Sequence, residues 1–278
     1  MNTTDLFMEE YFSGKKLYGD DFTYEQIQAW YADEKEGYAN LVAEFEWAES
    51  HGAYGYHELN KLHGFRYLPK NKVFERALGL GSALGDEFLP VISQIKSISI
   101  LEPSDNLVSD QLQGVALQYK KPSVEGKIDY PDNHFQLETC FGTLHHIPNV
   151  SFVLSELHRV LAPGGYLLIR EPVHSMGDWR FPRSGLTKRE RGIPVDLLRT
   201  WIRELGFDVV HESFCFAMTF FLERKIGRFL KKPLHEYKWY IYMDKVLSAI
   251  TAFNLKYHAR NPLQRIAPSS VFYVLCKR

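Results

Sequence analysis

From residue 73 onward short apolar runs alternate with amphipathic ones, and this alternation constrains the fold more than any other feature of the chain. The runs "ALGLG", "SISILE", "FQLETCF", "YLLIREP", "FDVVHESF" and "SSVFYVLCKR" read as strands. Between them, "GDEFLPVISQI" reads as a helix whose acidic start suits the positive helix end. "VSFVLSELHRVLAPGG" reads as a helix closed by Pro-Gly-Gly, and "PVDLLRTWIRELGF" as one with Val195, Leu198, Trp201, Ile202 and Leu205 on its apolar side. Strands separated by helices pair in parallel and are covered on both faces, so the expected class is α/β with a doubly wound, mostly parallel sheet. Ligands of such sheets sit beyond the carboxyl ends of the strands. The residues there are Gly79 to Gly85, Glu102, His145 with His146, and Arg170 with Glu171, four distant segments expected to share one crevice.

The loop "RALGLGSALGDEF", residues 76–88, carries Gly79, Gly81 and Gly85. Glycine allows φ > 0 and a close approach of ligand to backbone, which between a strand and a helix points to a nucleotide-type ligand. A dinucleotide fingerprint needs glycine at its first, third and sixth positions, but the sixth residue from Gly79 is Leu84, so NAD is kept only as the alternative ligand. The formal net charge of -1 gives no global pull toward nucleic acid or an anionic membrane; any such preference has to be local. Cys140, Cys215 and Cys276 lie far apart with no CxxC, which fits a reducing cytoplasm. The opening "MNTTDLFMEEYF" has neither a basic region nor an apolar run, and no stretch reaches 18 uninterrupted apolar residues, so neither a signal peptide nor a transmembrane segment is expected.

Four motifs in order, "ALGLGSALG", "ILEPS", "LHHIPNV" and "HRVLAPGGYLLIREP", resemble those of class I S-adenosylmethionine-dependent methyltransferases, over residues 73–214 and the terminal strand. The resemblance implies a Rossmann-like, seven-stranded sheet and S-adenosyl-L-methionine as cofactor, held by Gly79, Gly81, Ser82, Gly85, Glu102 and Pro103. Glu102 is then the acceptor for the two ribose hydroxyls. The chain departs from the family pattern in three places. Gly79 stands where an acid is usual, Ala83 replaces the second loop glycine, and Gln136 replaces an aspartate. Asp86 or Glu87 are the candidates to stand in for the missing acid. "SVEGKIDYP" is expected to meet the adenine, with Glu125 as candidate. No Asn-Pro-Pro-Tyr motif is present, so no nucleic-acid acceptor is expected.

Methyl transfer from a sulfonium is an in-line displacement that depends on alignment, and a hydroxyl acceptor must also lose its proton. His145 and His146 suit a general base because imidazole titrates near neutral pH; the competing role is a hydrogen bond to the loop backbone. Glu171 is the further base candidate, with a salt bridge as its competing role. Adjacent histidines do not readily share one metal ion, so none is expected. The run "GDWRFPRSGLTKRERGIP" holds Arg180, Arg183, Lys188, Arg189 and Arg191, which read either as solvated surface or as a clamp on an anionic acceptor.

Residues 1–70 are expected to form an N-terminal helical lid, with Ile27, Trp30, Tyr31, Tyr38, Leu41, Phe45 and Ala48 at helical spacings and with Tyr56 and His57 toward the acceptor. The binding core spans 71–214 and is completed by 270–278. A helical insertion, 215–269, is expected to cap the acceptor site. Within it Trp239, Tyr242, Met243, Val246, Ile250, Phe253 and Tyr257 repeat at i, i+3, i+4 and i+7, a stripe expected to pack into the core; a homodimer contact and a peripheral membrane surface are the other readings. The functional expectation is a cytoplasmic enzyme methylating a small molecule or saccharide, of anionic character, at a hydroxyl. The alternatives are N-methylation and a non-catalytic binding protein on the same fold.

Overall fold

In the computed structural model, which describes residues 3–34, 54–181, 183 and 185–278, every run read as a strand enters one sheet. Its strands are β1 (Ala77–Leu80), β2 (Ser97–Leu101), β3 (Gln111–Leu112), β4 (Val115–Lys120), β5 (Phe135–Phe141), β6 (Leu161–Pro172), β7 (Phe207–Cys215) and β8 (Ser270–Lys277). The order across the sheet is β3-β4-β2-β1-β5-β6-β8-β7. The pairs from β4 to β6 are parallel, and β8 runs antiparallel between β6 and β7. Eight strands replace the seven expected, because a tight turn at Gln113 and Gly114 folds the two-residue β3 back on β4.

The helices are α1 (Thr3–Phe12), α2 (residues 24–34), α3 (His57–His63), α4 (Val150–Val160), α5 (Val195–Glu204), α6 (Thr219–Ile226) and α7 (Lys238–Thr251). Side chains alternate across a strand, and the sheet divides its apolar residues accordingly. Leu78, Leu167, Ile169, Val271 and Tyr273 face one core with α4 and α5, whereas Ala77, Leu168, Phe272 and Val274 face a second with α3 and Ile241 of α7. Both faces are buried, as parallel strands require.

Three expected helices come out differently: that of "VSFVLSELHRVLAPGG" stops at Val160, and the residues from Leu161 to Gly165 already belong to β6. "GDEFLPVISQ" forms a 3-10 helix, Asp86–Gln94, with Pro90 inside it; proline supplies no N–H and clashes with the preceding turn of an α-helix. The apolar stripe of α7 does not enter the core. Trp239, Tyr242, Met243, Val246, Ile250 and Phe253 are exposed, and only Tyr257 of the seven is buried. The buried face of α7 is Tyr240, Ile241, Asp244 and Ser248. Asp244 decides this orientation. Its carboxylate accepts the N–H groups of Phe216 (2.6 Å) and Ala217 (3.0 Å) and the Thr219 hydroxyl (3.3 Å), satisfying donors at the start of α6. Tyr38, Leu41, Phe45 and Ala48 lie outside the described residues. Among the described residues no helix is long and apolar enough to cross a membrane.

Candidate functional site

A cavity of about 390 Å³ opens beyond the carboxyl ends of β1, β2 and β5. Gly81 lines it after β1, Glu102 and Pro103 after β2, Thr143 and His146 after β5, and Trp30, Tyr31 and Glu34 come from α2. Gly81 has φ +65°, and a Cβ there would stand 2.6 Å from the Thr143 side chain, so the turn requires glycine. A Cβ on Gly79 would run into Ser82 Oγ. That hydroxyl donates to buried Glu87 at 2.9 Å. Burial pushes the Glu87 carboxyl up to about 7, against the hydrogen bond of Ser82. Ser82 and Glu87 thus occupy the region where the first strand lacks its acid. Ala83, at φ +45°, is held in the left-handed region by two bonds: its N–H donates to Glu102 (3.2 Å) and its carbonyl accepts the Tyr119 hydroxyl (2.9 Å). Glu102 also accepts the Ser104 N–H at 2.9 Å, and burial raises its pKa despite both bonds.

The loop after β5 is built around two histidines in different states. Glu171, fully buried, accepts the N–H groups of Thr143 (2.9 Å), Leu144 (2.8 Å) and His145 (3.3 Å) and meets His145 Nδ1 at 2.8 Å. Glu190 approaches His145 Nε2 at 3.5 Å. Burial by itself would lower the His145 pKa, but the bonds and charges of the two carboxylates outweigh it and raise it to about 9. His145 is therefore an imidazolium at neutral pH. Glu190 shows the counterpart: burial would raise it, and the bond and charges of the histidines hold it at about 2. His146 instead lines the cavity, with Nδ1 3.0 Å from Glu34, and burial and the charge of His145 lower its pKa. Buried Arg191 fixes this loop by donating to the carbonyls of Leu144, His145, Ile147, Pro148 and Tyr18.

Other expected site residues lie away from the cavity lining. Arg180 pairs with Asp178, Arg189 with Asp33, and Arg183 donates to the carbonyls of Met176, Thr187, Lys188 and Glu190. Arg180 and Arg183 organise their own loop, and Arg189 ties it to α2. Tyr56 stacks on His235 and lies under the Arg170 guanidinium at 4.2 Å, and neither Tyr56 nor His57 lines the cavity. None of residues 215–269 lines it either. Gly79, Ser82 and Gly85 shape the loop from behind, and the stretch 122–128 lines the cavity except for Glu125. Sequence reasoning missed Glu34 and Glu190 as partners of the histidines; Glu34 lies 112 residues from His146 and Glu190 tens of residues from His145, and no local spacing marks them. Among the described residues one group offers ligand atoms for a metal ion within 4.8 Å of one another: His145, His146 and Glu190. The adjacent histidines were expected not to share an ion, and a third ligand from the loop after β6 is what the spacing did not disclose.

A family model described as a methyltransferase domain matches residues 54–212. A ubiquinone/menaquinone biosynthesis C-methyltransferase of Hydrogenovibrio crunogenus is 30% identical over 129 residues, which is 43% of this chain and 50% of that one. The chain thus spans about half the length of that curated relative. The solved structure of phosphoethanolamine N-methyltransferase 2 of Haemonchus contortus, in complex with S-adenosyl-L-methionine, superposes with a TM-score of 0.52 at 16% identity, covering 79% of this chain and 52% of the other. That likeness is one of fold.

Proposed function

Because the chain belongs to the class I S-adenosylmethionine-dependent methyltransferases, we propose that its cavity takes that cofactor and that His146, backed by Glu34, removes the proton of the hydroxyl to be methylated. The cavity volume of about 390 Å³ falls among those of small-molecule sites. Glu102 uses one lone pair of each oxygen on a backbone N–H, which leaves acceptor capacity for a pair of ribose hydroxyls. Gly81 keeps the backbone open, and Leu101, Ile128 and Val153 supply apolar walls for a flat base. Replacing Glu102 by alanine removes charge-assisted bonds of about 1.5–3 kcal/mol, so calorimetry is expected to read a tenfold or greater loss of cofactor affinity. Unchanged affinity in the folded variant would put the ribose elsewhere.

S-adenosylmethionine, when bound, supplies an electrophilic methyl group on a sulfonium. The chain's own part is to orient the acceptor and take its proton. One observation carries the choice of base: His146 is the histidine on the cavity wall, and its lowered pKa leaves it neutral and able to accept a proton at pH 7. His145 is already protonated, and Glu171 is committed to three N–H groups and that imidazolium. The acceptor we favour is a small flat molecule with an acidic ring hydroxyl. Tyr31, partly exposed, lines the cavity and offers a flat face, whereas Trp30 and Trp179 are both buried, Trp179 in stacks on Phe12 and Tyr18. The arginines suggested for an anionic acceptor are bonded within their own segment or to Asp33.

Removing a ring hydroxyl proton also makes the adjoining ring carbon nucleophilic. C-methylation is therefore the second reading, favoured by the C-methyltransferase relative. The test is turnover with a dihydric phenol, a hexose and a carboxylic acid of similar size, each with labelled cofactor. The expected result is one S-adenosylhomocysteine per methylated phenol, with the methyl position found by NMR. Turnover confined to the hexose or the acid would overturn the reading.

A further inference from the structure

The outward side of α7 is apolar along its whole length. Trp239, Ile250 and Phe253 are 63%, 62% and 87% exposed, with Tyr242, Met243 and Val246 between them. Phe220, Phe221 and Ile226 of α6 and the following Phe229 are exposed as well. The same segment is basic. Residues 219–266 hold ten lysines and arginines against three acidic residues, a net of +7 in a chain whose total is -1. Two of those three acids are turned inward on protein groups: Asp244 on the N–H groups before α6, and Glu223 on the Leu234 N–H and His235. The exposed face therefore combines large apolar and aromatic side chains with an excess of positive charge, of which Arg260 is paired with Glu9.

We propose that this face docks the protein on an anionic lipid surface, with α7 lying in the plane of the interface. The helix has 14 residues, about 21 Å, too short to span a bilayer and suited to lying on one. Trp239 and Tyr242 enter the headgroup region, where aromatic rings with a polar edge are favoured, and Lys238 and Lys256 meet lipid phosphates beside them. Charge decides against a second copy of this chain. A two-fold contact sets the same positive patch against itself, whereas an anionic membrane attracts its exposed cations. This docking is independent of the proposed chemistry, since no residue of 215–269 lines the cavity.

The test is co-sedimentation of the full chain with vesicles of phosphatidylcholine alone and of phosphatidylcholine with phosphatidylglycerol in equal parts. Binding is expected to the mixed vesicles, at least tenfold tighter than to the neutral ones, and several-fold weaker in 0.5 M salt than in 0.1 M. Ile250→Glu with Phe253→Glu is expected to reduce that binding at least tenfold while leaving S-adenosylhomocysteine affinity unchanged. Should this pair fail to fold, Lys238→Glu with Lys256→Glu, both at exposed positions, replaces it with a several-fold loss expected. No binding to the mixed vesicles, or equal binding by a folded variant, would overturn the proposal. So would a dimer in sedimentation velocity that the same substitutions turn into a monomer, since the face would then belong to a second copy.

Discussion

Replacing His146 by alanine lowers the single-turnover rate of methyl transfer by about 10²–10⁴ and leaves S-adenosylmethionine affinity within a few-fold of the wild type. The size follows from losing a positioned proton acceptor, and the selectivity from Glu102 and Gly81 remaining in place. The pH dependence identifies the residue. His146 has to be neutral to act, so the wild-type rate rises with pH along an acid limb whose midpoint lies below the ordinary histidine value near 6.5, because burial and the charge of His145 lower the His146 pKa. Glu34 opposes that lowering through its hydrogen bond to Nδ1. Glu34→Gln should therefore move the acid limb to still lower pH, and His146→Ala should abolish it. An alanine variant that turns over at the wild-type rate would return His146 to a role in holding the loop.

Glu171→Ala is expected to destabilise the fold by about 3–5 kcal/mol, the usual cost of stripping one partner from a buried ion pair. Three N–H groups and the His145 imidazolium lose their acceptor together. For a chain of this length the melting temperature should fall by on the order of 10 °C. Glu171→Gln separates charge from hydrogen bonding. In the wild type the folded His145 pKa is raised to about 9 from an ordinary 6.5, so its stabilisation is complete below pH 6.5 and is lost as pH climbs through 9. The glutamine variant retains only the Glu190 carboxylate beside His145, and its stability should decline less over that window. On the acid side Glu190, held at about 2, contributes above the ordinary glutamate value and loses that contribution as pH falls through 2. Urea unfolding at pH 2.5, 5, 6.5 and 9.5 reads all of this. A Glu171→Gln protein as stable as the wild type, with the same decline toward pH 9.5, would mean that the carboxylate charge is immaterial.

The sequence by itself determined the class of the sheet, the strand ends that meet, and the residues at those ends. Period-2 and helical patterns, glycines at a turn, and helix caps are set by neighbours a few residues apart, so "ALGLGSALG", "ILEPS" and "LHHIPN" announce their places locally. Glu102 at the end of β2 and His146 after β5 both come to the cavity wall for that reason. Tertiary structure alone decided which histidine is charged. His145 and His146 are neighbours of one type in the chain, and their states differ because Glu171 and Glu190 reach one while Glu34 reaches the other. It alone decided that Arg183, Arg189 and Arg191 serve backbone carbonyls and Asp33. It also reversed α7: helical spacing reports that the apolar residues share a face, but not which face turns inward. There the donors at the start of α6 needed an acceptor, and Asp244 with Ser248 took the inner side, leaving Trp239, Ile250 and Phe253 outside. Burial of a side chain depends on what another part of the chain offers it, and that is settled by contacts across tens to hundreds of residues that no local pattern encodes.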